Sequence, residues 1–81
     1  MHELSFAEQI LDAVQTEAMK YPDARVARIR LRAGEQLALE PASLTFCLNA
    51  IAAGTSAEDA KIDIEPAPGD ELIIEEIELN G

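Results

Sequence analysis

The residues best equipped for chemistry stand at the start of the chain: Met1, His2 and Glu3. A histidine one residue from a free α-amine is a chelate in waiting. The Met1 amine and the His2 amide nitrogen close a five-membered ring on a metal ion. The His2 ring nitrogen nearer the backbone closes a six-membered ring to the same amide, so two residues supply three nitrogen donors. Glu3, through its amide or carboxylate, or a group from a partner, completes the plane. Nitrogen-rich tetragonal sets suit nickel(II) and copper(II), whereas zinc prefers a tetrahedral set. Histidines near frayed termini are often idle, so the tripeptide needs support from the rest of the chain.

No competing chemistry is visible elsewhere. With one histidine, one cysteine and one tyrosine, a Ser/His/Asp or Cys/His site would have to be assembled from single copies far apart. Cys47 falls at a helical core position, where cysteine acts as a small hydrophobe. A lone cysteine also rules out an internal disulfide and every cysteine-rich zinc pattern. Gly34, Gly54 and Gly69 lack phosphate-loop spacing, and the carboxylates lie in runs that mark solvated strand faces. The expectation is a protein that is not an enzyme and has no catalytic residues.

The elements that must position the N-terminal donors follow from the apolar pattern. Ser5-Phe6-Ala7-Glu8 has capping-box spacing, and Ala7, Ile10, Leu11, Val14 and Ala18 recur at three and four, predicting an amphipathic helix that ends near Pro22. Ala27 to Arg32 alternates apolar and basic, predicting a strand stopped by Gly34 with Ala27, Ile29 and Leu31 facing the core. A second helix is framed by Pro41 and Gly54, with Leu44, Cys47, Leu48 and Ile51 on its buried side. Lys61 to Glu65 alternates again, and Leu72 to Leu79 is another β-branched run. The turn residues at 66–70, Pro66-Ala67-Pro68-Gly69-Asp70, predict a hairpin between these two strands. A parity shift of the apolar residues at Glu75-Glu76 fits a bulge. The fold class is therefore α+β in the order α-β-α-β-β. It is a single domain over 1–81, in which a mixed three-stranded sheet carries both helices on one face and leaves the other to solvent.

Charge narrows the choice of partner. In the 81 residues, 16 acidic side chains against 6 basic ones give a formal charge of -10. Nucleic acid and anionic membranes are poor partners for such a chain, whereas cations and basic protein surfaces are better ones. Arg25, Arg28, Arg30 and Arg32 are concentrated on one strand, and Asp63, Glu65, Glu75, Glu76 and Glu78 on the other two. Cross-strand pairing is the favoured reading of this segregation, with an anion-binding arginine cluster as the alternative. The apolar runs fall short of the roughly 20 residues that span a bilayer, and the start lacks a signal-peptide layout, which gives a cytoplasmic expectation.

A wider match then bears on the tripeptide. Met1-His2-Glu3-Leu4-Ser5, Val26 through Leu31, Gly34-Glu35, Glu40-Pro41, Leu44, Phe46, Gly54-Thr55, Gly69-Asp70-Glu71-Leu72 and Glu76-Ile77-Glu78 together resemble the hydrogenase/urease nickel-incorporation protein (HypA) family. The resemblance implies a nickel metallochaperone for [NiFe]-hydrogenase, and in some organisms urease. Its implied partners are a maturation GTPase and the enzyme precursor, and its implied nickel site is Met1, His2 and Glu3. It also implies an inserted zinc domain with two Cys-x-x-Cys pairs between the last two strands. This chain has only residues 66–70 there, so zinc is not expected. The alternative function is a metal-free interaction module that docks on the GTPase or the apo-enzyme.

Overall fold

A computed structural model describes residues 2–81, with side chains from Glu3 onward. Helix α1 spans His2–Ala18, strand β1 Arg25–Gly34, a short 3-10 turn Glu35–Leu37, helix α2 Pro41–Ala52, strand β2 Lys61–Ala67 and strand β3 Leu72–Asn80. The expected class and order hold: two helices and a mixed three-stranded sheet.

Helix α1 buries the side that the spacing marks out. Ala7, Ile10, Leu11, Val14 and Ala18 are all buried, and Leu44, Leu48 and Ala52 of α2 join them. The sheet supplies Val26, Ile29 and Leu31 to the same core. At about 1.5–3 kcal/mol for each large aliphatic side chain removed from water, this one cluster dominates stability. Helix α1 starts three residues before the apparent capping box, so Ser5 and Glu8 lie inside the helix rather than at its cap. The apolar period begins only at Ala7, which is why the first turn is not visible as helix in the pattern.

Strand β1 is central. It pairs parallel with β2, register Ile29 to Ile62 and Leu31 to Ile64, and antiparallel with β3, register Ile29 to Ile77 and Leu31 to Ile74. Two register shifts interrupt the second ladder. One skips Glu75, between the pairs Arg30–Glu76 and Leu31–Ile74, where the parity of β3 changes. The other skips Ala27, and here the strand departs from the alternation expected of it. The bulge turns Val26 inward, leaving it 3% exposed, while Ala27 is only half-buried.

The turn at 66–70 is not a hairpin. Because the sheet order is β2-β1-β3, the strands it joins are not neighbours, and residues 68–71 pass across the end of β1. Pro66 and Pro68 explain the difference, since a ladder between β2 and β3 would lack two amide donors next to its turn. The crossing is tied down where the Gly34 amide donates to the Glu71 carbonyl at 2.8 Å and the Gln36 amide donates to the Gly69 carbonyl at 2.9 Å. A Cβ on Gly34 would run into the Gly69 carbonyl and lie 2.8 Å from the Asp70 nitrogen. Glycine is needed there for space, because φ is an ordinary -65°.

Candidate metal centre

Of the three residues chosen as metal donors, Met1 and the side chain of His2 lie outside the described residues. The His2 backbone begins α1, and Glu3 sits in the first turn. Amides in the first turn of an α-helix have no acceptor within the helix, so starting the helix at His2 leaves that amide clear of the backbone ladder. The positive end of the helix dipole also favours a carboxylate in the first turn, where Glu3 stands.

Glu3 is anchored. Its Oε2 accepts a hydrogen bond from the Glu40 amide at 3.1 Å. Glu40 caps α2, accepting from the Ala42 amide at 3.1 Å through its own side chain, while Pro41 occupies the first turn without needing an acceptor. The two helix starts therefore stand side by side, with the carboxylates of Glu3 and Glu40 at their positive ends. A shallow groove opens beside them, lined by Glu3, Ala42, Ser43, Phe46 and Cys47. Phe46 is 74% exposed there, although it lies in a helix whose opposite side is fully buried. The Glu3–Glu40 link and the outward Phe46 are the features that reading the sequence missed. Pro41 marks the start of α2, but nothing in the sequence ties that start to Glu3. No local pattern marks the second.

The open sheet face uses its charges internally. Arg28 meets Asp63 at 2.6 Å and Glu78 at 3.6 Å, Arg30 meets Glu76 at 2.7 Å, and Arg32 meets Glu75 at 2.8 Å. The hydrogen bond and charge of Glu76 push the Arg30 guanidinium above its ordinary value, with Glu65 and Glu75 adding to this and desolvation opposing it. These three arginines are committed to carboxylates on both flanking strands, so the anion-site alternative falls. Among the described residues no three His, Cys, Asp or Glu side chains gather in a way that could hold a metal ion. No helix among them is long and apolar enough to cross a membrane.

Comparison with known proteins gives the family. Residues 1–72 match the family model described as hydrogenase/urease nickel incorporation, metallochaperone, hypA, and the chain belongs to that family. The proteins named hydrogenase maturation factor HypA in Chlorobium limicola and Methanopyrus kandleri are 46% and 48% identical to it over 65 residues, which is 80% of this chain. The one in Methylocella silvestris is 41% identical over 70 residues, 86% of this chain. The aligned segments cover 56%, 46% and 62% of those relatives, so this chain spans about half of the length of the proteins it matches.

Proposed function

We propose that this chain binds nickel(II) through Met1, His2 and Glu3 and passes it to a partner during maturation of [NiFe]-hydrogenase, or of urease. It acts as a carrier and catalyses no reaction itself. The observation that carries this reading is that the family match includes the opening tripeptide and that α1 begins at His2. The amine, the His2 amide and the His2 imidazole supply three nitrogens, and Glu3 or the partner supplies the remainder. A site with a borrowed ligand suits metal that must later be released.

The partners that fit are a maturation GTPase and the enzyme precursor, met in the cytoplasm. Residues 68–71 join β2 to β3 at the place where the family resemblance puts a zinc domain, and Cys47 is the lone thiol. Nickel is the metal this reading assigns to the chain, with no zinc expected.

Titration calorimetry with nickel on protein with a native, untagged start tests the reading. Stoichiometric binding is expected, and it should be lost both in His2→Ala and when one residue is added before Met1. Unchanged affinity in both variants overturns it.

The exposed Phe46 favours a second reading, a metal-free docking module. Aromatic side chains standing in a groove are common anchors of protein interfaces. Capture of the GTPase that persists in His2→Ala with chelator present, together with an absence of nickel binding, would favour this reading over the first.

A further inference from the structure

The two edges of the sheet are built differently. The outer edge of β2 carries Lys61 and Pro66, two of the devices by which natural sheets block further pairing. The outer edge of β3 carries neither lysine nor proline in its nine residues, Leu72–Asn80. Its one irregularity is the bulge at Glu75, beyond which Glu76–Asn80 is uninterrupted, a stretch of ordinary strand length. In a strand paired on one side only, alternate amides and carbonyls point away from the partner.

The side chains along this edge are also unfinished. Leu72, Ile74, Ile77 and Leu79 face the helices but are only partly buried, because β3 lies at the margin of the layer that covers β1. On the opposite face stand Glu76 and Glu78, with 47% and 49% of their side-chain surface exposed even though each contacts an arginine of β1.

We infer that β3 accepts an additional strand from another polypeptide, one in which apolar residues alternate with lysine or arginine. The apolar residues would cover the half-buried row, and the basic ones would stand opposite Glu76 and Glu78, where unlike cross-strand charges are stabilising. A second copy of this chain is a poor occupant. It would bring one glutamate row against another and join two bodies that each carry a charge of -10.

The test uses the full 81-residue chain, labelled with nitrogen-15, with chelator present so that the outcome is independent of the nickel reading. The probe is a blocked seven-residue peptide alternating valine and lysine. Amide shifts should concentrate in 72–80 and leave 61–67 unchanged, and replacing the lysines with glutamate should weaken binding about tenfold or more. Methylating the alternate backbone nitrogens along one edge of the peptide should abolish binding, whereas methylating those along the other edge should not. Three outcomes overturn the inference: no binding of the lysine peptide, shifts centred on β2, or equal affinity for both methylated forms. A dimer in sedimentation equilibrium that the peptide does not dissociate would assign the edge to a second copy instead.

Discussion

The Glu3 carboxylate accepts the amide hydrogen of Glu40 at 3.1 Å, which fastens the first turn of α1 to the cap of α2. Glu3 is thus positioned by a part of the chain 37 residues away. Glu3→Ala should lower stability by about 0.5–1.5 kcal/mol, the net worth of an ordinary hydrogen bond. Glu3→Gln, which keeps an acceptor oxygen of the same reach, should cost less. Urea midpoints decide this, and equal losses in the two variants would count against the link.

Nickel binding should weaken as pH falls. The imidazole and the amine serve as donors only without their protons, and such groups ordinarily take them up near 6.5 and 8. The apparent affinity, measured by calorimetry at several pH values, should drop progressively below about pH 8. A flat profile would mean that neither group ligates.

Gly34→Ala should destabilise the fold by about 1–3 kcal/mol, because its new methyl meets the backbone of the crossing segment. Gly54→Ala is a useful contrast. There φ is +82° with nothing near the added carbon, so only the backbone preference of about 1 kcal/mol is lost. If the two variants have the same thermal midpoint, the crossing segment is not held tightly against β1.

Arg28 and Asp63 are each 36% exposed at the side chain. A double-mutant cycle on this pair should give a coupling of about 0.2–1 kcal/mol, and 1 M salt should reduce it. Coupling that does not respond to salt would point to packing of the arginine stem instead.

Phe46→Ala should leave the unfolding midpoint nearly unchanged, because the ring is mostly in water. If the groove is where a partner docks, the same change should weaken capture of that partner about tenfold or more. Unaltered capture would remove the groove from the docking surface.

The core was legible because periodicity acts one element at a time. The positions from Ala7 to Ala18, Leu44, Leu48, Ile29 and Leu31 follow from spacing of three, four and two, and so does the bulge at Glu75, where the apolar parity breaks. Strand neighbours were harder to read. Turn residues at 66–70 look the same whether the chain folds back beside β2 or steps over β1, and the choice depends on which edge of β1 is left open. Val26 replaced Ala27 in the core because a bulge in β1 responds to the register with β3, which no window around Ala27 contains. At the candidate site the donors were read from residue type and order alone. The anchoring of Glu3 by Glu40 is a long-range contact and left no local trace.

The step of residues 68–71 over the end of β1 has a kinetic consequence. Strand β1 pairs with β2 through a helical crossover, but its other edge must wait for partners such as Glu76, 46 residues from Arg30. Loop-closure entropy is spent before those contacts form, and it is slightly larger for the β1–β3 pairs than for the β1–β2 pairs. Until β3 pairs, the second edge of β1 is open, and Gly34 has not yet been covered by the turn that crosses it.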